Sequence, residues 1–250
     1  MSINKQIIMK TRPVGMPKLE NFEIIENEIP EIRNGEVLIK ILWLSLDPYM
    51  RGRMSTAKSY AASLHEGDVI VGGAVGRVIK SETKEYKEGD IVEGFTLGWQ
   101  EYAIATPATI RKIDPNLAPI QTAVGVLGMP GMTAFFGLLH VGKPIPGDTV
   151  VVSAASGAVG QLVGQIAKIA GCYVVGIAGG KEKCNFLLNT LNFDAAIDYK
   201  NENVDDLLDK YCPKGVNVYF DNVDGDITDA VLAIIASNAR VINCCAISVY

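Results

Sequence analysis

The chain has 250 residues, a net charge of -5 and 48% hydrophobic residues, a length and apolar content that suit about two folded domains. No stretch reaches the roughly 18 uncharged apolar residues needed to cross a bilayer, and the opening Met1-Ser-Ile-Asn-Lys-Gln lacks a signal-peptide layout, so a cytoplasmic protein without a membrane partner is expected. An acidic balance without basic clusters argues against nucleic acid as a partner.

The first half carries short β-rich runs separated by glycine, proline and charged turns. Strands are predicted at residues 6–10, 22–28, 36–46, 69–80 and 100–105. Val37-Leu-Ile-Lys-Ile-Leu-Trp43 begins with near alternation, and Gly67-Asp-Val-Ile-Val-Gly-Gly-Ala-Val-Gly76 has glycines that suit bulges or barrel corners. Together they predict a partly closed β-barrel-like domain over residues 1–125. Residues 117–140 then read as helical and as the bridge to a second domain, residues 126–250, which the turn Lys143-Pro-Ile-Pro-Gly-Asp148 leads into.

The second half opens on the most informative stretch of the chain. An apolar run from Val150 meets Ala155-Ser-Gly157-Ala-Val-Gly160, which passes directly into a helical pattern. This is the dinucleotide fingerprint with alanine at its first glycine position: Gly157 would let backbone approach a pyrophosphate, and Gly160 would let the helix sit close to the strand. The helix start, with open amides and an aligned dipole, attracts anions. Strand and helix patterns then alternate: extended at 172–178, helical at 182–191, extended at 195–198, helical at 204–211, extended at 216–221, helical at 227–237 and extended at 240–246. Such βαβ alternation predicts a doubly wound α/β domain, a parallel sheet covered on both faces, with ligands at the carboxyl ends of its strands.

Two further patterns narrow the chemistry. An NAD-preferring fold places an acid near the end of the second strand to meet the ribose, whereas this chain has Ala178-Gly-Gly-Lys-Glu-Lys183 there. Room and positive charge favour a 2′-phosphate, hence NADPH. The five cysteines, Cys172, Cys184, Cys212, Cys244 and Cys245, have no metal-ligand spacing and read as buried free thiols. His65 and His140 are the only histidines and read as a loop cap and a helix end.

The motifs Leu44-Ser-Leu-Asp-Pro-Tyr-Met-Arg-Gly-Arg-Met54, Gly125-Val-Leu-Gly-Met-Pro-Gly-Met-Thr-Ala134, Phe220-Asp-Asn-Val223 and Ala246-Ile-Ser-Val-Tyr250 resemble the medium-chain dehydrogenase/reductase superfamily, and within it the zinc-free prostaglandin reductase and leukotriene hydroxydehydrogenase branch, which includes bacterial curcumin reductases. The resemblance implies a GroES-like first domain, a Rossmann second domain and reduction of the carbon-carbon double bond of a small α,β-unsaturated ketone or aldehyde. Zinc members of the superfamily take ligands from a cysteine and a histidine of the first domain; here no cysteine precedes Cys172, so no metal is expected. The family positions imply that Gly157, Ala158, Val159 and Gly160 line the pyrophosphate, that Lys183 meets the 2′-phosphate, that Tyr199 lies near the adenosine, and that Asn222, Cys244, Ala246, Ile247, Ser248 and Tyr250 also meet the cofactor. Hydride addition would leave an enolate, which needs a hydrogen-bond donor; Tyr250 is the first candidate, with Tyr49 and Tyr60 shaping the substrate pocket or donating a proton. Arg51 and Arg53 could attract a substrate carboxylate or form salt bridges. Members of the branch continue beyond the equivalent of Tyr250 and form homodimers, so the sixth strand, the dimer edge and the return segment of the first domain are expected to be missing, leaving an unpaired sheet edge. A quinone or enoyl-thioester reductase, or an inactive nucleotide-binding fragment, remains as an alternative.

Overall fold

The computed structural model describes residues 3–59 and 61–245. Tyr60, Ala246, Ile247, Ser248 and Tyr250 therefore lie outside the described residues. The described chain parts into two compact units between Gly125 and Val126.

In the first unit, β1 (Ile3–Met9) and β2 (Phe22–Glu28) form an antiparallel hairpin. β3 (Val37–Leu44), β4 (Ala74–Ser81), β5 (Ile91–Gly94), β6 (Tyr102–Ala105) and β7 (Arg111–Lys112) form an antiparallel sheet in the order β6-β3-β4-β5-β7. Backbone bonds from Ile7 N–H to the Trp99 carbonyl (2.8 Å) and from Ile70 N–H to the Ile7 carbonyl (2.9 Å) stitch the hairpin to the loops before β4 and β6. Asn4, 2% exposed, adds two bonds that copy a strand ladder: its side chain donates to the Tyr102 carbonyl (2.9 Å) and accepts from the Tyr102 N–H (3.0 Å). Val37, Ile39, Val78, Val92 and Ala103 fill the sheet's core. The strand expected over residues 69–80 begins only at Ala74, and the chain also contains the short helix α1 (Tyr49–Arg53), β5 and β7, which the pattern had not indicated.

The single helix expected over residues 117–140 is instead three pieces: a 3-10 turn at Ile120–Val124, α2 (Met129–Phe136) and a π-helical turn at Gly137–Gly142. Gly125, at φ -129 and ψ -115, lies far from helical backbone, and Pro130 has no N–H with which to continue a helix from before it.

The second unit is a five-stranded parallel sheet. β8 (Thr149–Val152) sits at its centre, followed in the chain by α3 (Gly160–Ile169), β9 (Tyr173–Ala178), α4 (Lys181–Asn189), β10 (Ala195–Asp198), α5 (Val204–Tyr211), β11 (Val216–Asp221), α6 (Asp226–Ala233) and β12 (Ile235–Asn243). The strand order is β10-β9-β8-β11-β12, all pairs parallel. Alternation along β8 divides the core: Val150 and Val152 pack with Val163 and Ala167 of α3 and Leu187 of α4, whereas Val151 packs on the other face with Leu208 of α5 and Val231 of α6. The chain reverses its direction of winding between β8 and β11, where a crevice opens at the strands' carboxyl ends. The helix expected to reach residue 237 ends at Ala233 because the Ile234 carbonyl is taken by the Val216 N–H (3.1 Å). β12 thus starts early, and a bulge, with Asn238 left-handed at φ 62, brings Arg240 opposite Val218.

Candidate cofactor-binding site

The glycine turn joins β8 to α3 at the centre of the parallel sheet. Its left-handed residue is Ala154, at φ 45, a conformation that costs a residue with a Cβ roughly 1–2 kcal/mol. Ala155, at the first glycine position of the fingerprint, is fully buried and donates its N–H to the Ile177 carbonyl (3.0 Å). The Gly157 N–H closes the turn on the Ala154 carbonyl at 2.9 Å. A Cβ on Gly157 would meet that same oxygen at 3.1 Å, and one on Gly160 would meet it at 2.4 Å. Val159, which precedes α3, supplies no side-chain cap; the first-turn amides of Gln161 and Leu162 close instead on the carbonyls of Gly157 (3.1 Å) and Val159 (3.0 Å), so the helix offers an anion its dipole at this end.

A cleft of about 980 Å³ opens beside this turn, at the upper end of the size range of ligand pockets. Ala154, Ser156 and Gly157 form one wall and Val223, Asp224 and Gly225 the opposite one; Gly179, Lys183 and Tyr199 close the far end. Tyr199, 46% exposed, lies against Gly179, where a Cβ would sit 2.8 Å from its ring. Lys183 is exposed on α4 and is the one cation among the lining residues, which also include Asp205, Asp224 and Asp226. Lys181 and Glu182, on the same turn of α4, do not line the cleft. The structure thus brings Gly157, Lys183 and Tyr199 to one cavity, with Ala158, Val159 and Gly160 continuing from its wall into α3.

An acid does stand beside the end of β9, in a place the sequence pattern did not reveal. Asp198 pairs with Ala178 across β10 and β9, and its carboxylate is tied to its own loop and to the loop between β9 and α4. It accepts from the Asn201 side chain (2.7 Å), the Gly180 N–H (2.7 Å) and the Lys200 N–H (3.2 Å). These bonds, with the Asn201 side chain foremost, hold its carboxyl below the usual range. The spacing Asp198-Tyr-Lys-Asn201 was the available signal, since such side chains cap turns of this length.

Asn222 follows β11 and is half-buried. Its N–H donates to the Ser153 hydroxyl (2.7 Å) and its side-chain amide to the Ser153 carbonyl (2.9 Å). Behind it lies Asp221, 1% exposed. One oxygen of this carboxylate accepts from the Ser153 hydroxyl (3.0 Å), the Tyr219 hydroxyl (3.0 Å) and the N–H groups of Val223 (2.9 Å) and Asp224 (3.0 Å); the other accepts from the Thr228 hydroxyl (2.7 Å). Burial raises its pKa, but the donors, led by the Asp224 and Val223 amides, outweigh burial and leave it below the ordinary value. Burial pushes the Tyr219 hydroxyl well up, so it remains a donor. The Asp221 carbonyl accepts from the N–H groups of Cys244 (2.8 Å) and Cys245 (3.2 Å), which places half-buried Cys244 at the neighbouring strand end.

In the first unit, Tyr49 opens α1 and is partly buried against Met9, Met54, Leu64, Ile70 and Val71. Arg51 donates to the Gly15 carbonyl (2.9 Å) and Arg53 to the Ala62 carbonyl (2.6 Å), so both guanidinium groups clamp loops. The loop at His65 is capped by the Asp68 carboxylate, which accepts from the His65 backbone N–H (2.7 Å), so the cap is the aspartate and not the expected histidine; His140 lies in the π-helical turn beside the Phe136 ring. None of the five cysteines is in a disulfide; Cys172, Cys184 and Cys212 are buried, and Cys244 and Cys245 are partly so. Among the described residues no group of three or more His, Cys, Asp or Glu could hold a metal ion, and no helix is long and apolar enough to cross a membrane.

Residues 5–113 match the family described as the N-terminal domain of oxidoreductase, and residues 158–248 the one described as zinc-binding dehydrogenase. The NADPH-dependent curcumin reductase of Escherichia coli (strain K12) is 44% identical over 247 residues, an alignment that covers 99% of this chain and 71% of that protein. The chain belongs to the medium-chain dehydrogenase/reductase superfamily, in the branch of curcumin, alkenal and prostaglandin reductases. The 2-alkenal reductase (NADP(+)-dependent) of Nicotiana tabacum is 46% identical to this member of the branch over 254 residues, covering 99% of this chain and 74% of the relative. The crystal structure of CurA in complex with NADPH from Vibrio vulnificus superposes with a TM-score of 0.90 at 47% identity, over 95% of this chain and 70% of that one.

Proposed function

We propose that the chain is an NADPH-dependent reductase of the carbon-carbon double bond of α,β-unsaturated ketones and aldehydes. One observation carries the cofactor reading: the cleft at the switch point of the sheet joins the Gly157 turn to Lys183 and Tyr199. The fit is physical. Gly160 lets α3 start against the turn because a Cβ there would strike the Ala154 carbonyl, Gly157 lines the cleft without a side chain, Lys183 offers the cationic point for a 2′-phosphate, and the Asp198 carboxylate is occupied by the Gly180 N–H and the Asn201 side chain. The substrate class rests on the relatives, among them a curcumin reductase, a 2-alkenal reductase, a (+)-pulegone reductase and prostaglandin reductases at 40–46% identity.

A cofactor held in the cleft would supply the hydride for the β-carbon of the enone. The chain's own residues have three tasks. Gly157 through Gly160 and the dipole of α3 hold the pyrophosphate; Lys183 and Tyr199 hold the adenosine end; Asn222, Cys244, Ala246, Ile247 and Ser248 are assigned to the remainder of the cofactor. Tyr250 donates a hydrogen bond to the carbonyl oxygen as enolate charge develops, a role suited to a hydroxyl that keeps its proton at neutral pH. Tyr49 and Tyr60 are assigned to shaping the substrate pocket or donating a proton.

The reaction is proposed to need no metal, in keeping with the absence of any cysteine before Cys172. A reducing, cytoplasmic setting is supported by five cysteines that form no disulfide. The test is to incubate the protein with NADPH and, separately, an enone, a quinone and an enoyl thioester. The enone should be turned over with the highest kcat/KM; preference for either of the others would overturn the substrate class.

A further inference from the structure

We infer that Asp221 is a positioning residue for the cofactor: its buried carboxylate holds the two walls of the cleft in register without touching the ligand. The inference rests on the cofactor reading above. At 1% exposure Asp221 is out of a ligand's reach, yet its donors come from the glycine-turn wall, the wall opposite it and α6. Ser153 leads directly into left-handed Ala154 on the glycine-turn wall. The amides of Val223 and Asp224 begin the opposite wall. Thr228 belongs to α6, whose Ile227 also lines the cavity.

The bonds form a closed circuit with a fixed direction. The Ser153 hydroxyl gives its proton to Asp221 and therefore offers a lone pair to the Asn222 N–H at 2.7 Å, while the Asn222 side chain returns to the Ser153 carbonyl at 2.9 Å. Strand ends 68 residues apart in the chain are thereby locked together, and Asn222 is set in one orientation. The oxygen that faces the Val223 and Asp224 amides must be an acceptor, because a backbone N–H cannot accept in return. An amide of the same shape would lose the charge that strengthens these bonds and would aim an N–H group at one of the present donors.

The test measures two ligands on the whole chain: NADPH by fluorescence titration, and adenosine 2′-phosphate, which needs only the Lys183 and Tyr199 end, by NMR titration. Asp221→Asn should weaken NADPH by about tenfold or more, the loss expected from one or two unsatisfied donors, and adenosine 2′-phosphate by less than about twofold. Thr228→Val, which keeps the shape and removes one donor, should show the same selectivity with a smaller loss of NADPH affinity and so serves if Asp221→Asn fails to fold. Equal weakening of both ligands, or unchanged NADPH binding, in the folded variants would overturn the inference alone. Failure of the unsubstituted chain to bind NADPH would overturn the cofactor reading and the inference with it.

Discussion

A Cβ on Gly160 would lie 2.4 Å from the carbonyl oxygen of Ala154, so the first residue of α3 and the left-handed residue of the preceding turn are mutually fitted. The two positions should respond oppositely to substitution. Gly160→Ala should destabilise the protein by about 2 kcal/mol or more, since the oxygen it strikes is backbone and cannot turn away. Ala154→Gly relieves a left-handed alanine and should be stabilising or neutral, within about 1 kcal/mol, as the strain released is offset by the flexibility glycine gains on unfolding. Thermal unfolding of both variants decides the matter, and a stability loss at Ala154→Gly as large as that at Gly160→Ala would refute the assignment of strain.

Lys183 is the cation of the cleft. Lys183→Ala should weaken NADPH by about tenfold or more, as expected for a lost charge-assisted contact, and leave the weaker NADH binding nearly unchanged. Fluorescence titration with both nucleotides checks this, and parallel losses would show that the lysine does not read the 2′-phosphate.

Burial pushes the Cys212 thiol up to about 11 from an ordinary value of 9. A folded-state pKa above the unfolded one means that the folded chain holds the proton longer, so this stability is complete below about pH 9 and is lost as pH rises through about 11. The loss is on the order of 2 kcal/mol. Cys212→Ala should lower stability at neutral pH through lost packing and make the alkaline decline of Tm shallower. Some decline should remain, because burial also takes Cys244 up to about 11. An unchanged slope between pH 8 and pH 11, followed by calorimetry, would remove Cys212 from the explanation.

Tyr250→Phe should lower kcat by about a hundredfold, the scale of one lost donor to a developing oxyanion, while NADPH affinity changes less than about twofold. An equal loss in turnover and in cofactor affinity would reassign this tyrosine to binding or packing.

Much of the second unit was readable because its physics is local. Runs such as Val150–Val152 are buried on both faces and contain no turn residue, and Gly157 and Gly160 mark the turn by sterics alone. The bounds of β10, α5 and β11 matched the expected ones for the same reason. What stayed hidden depends on distant partners. The early start of β12 follows from Val216 capturing the Ile234 carbonyl, and the short β7 exists only by pairing with β5. In the candidate site, Gly157 was legible from the fingerprint, and Lys183 and Tyr199 through the family resemblance, whereas the Asp221 circuit was not: an aspartate at a strand end gives no sign that a serine 68 residues earlier will donate to it.

The reaction itself is read most plainly from where the hydride goes. A simple alkenone incubated with the protein and NADPH that carries deuterium at the transferable position of the nicotinamide ring should give the saturated ketone with deuterium on the former β-carbon, seen by NMR of the product. Deuterium on the carbonyl carbon of an allylic alcohol, or NADPH that binds without being oxidised, would contradict enone double-bond reduction as the activity of this chain.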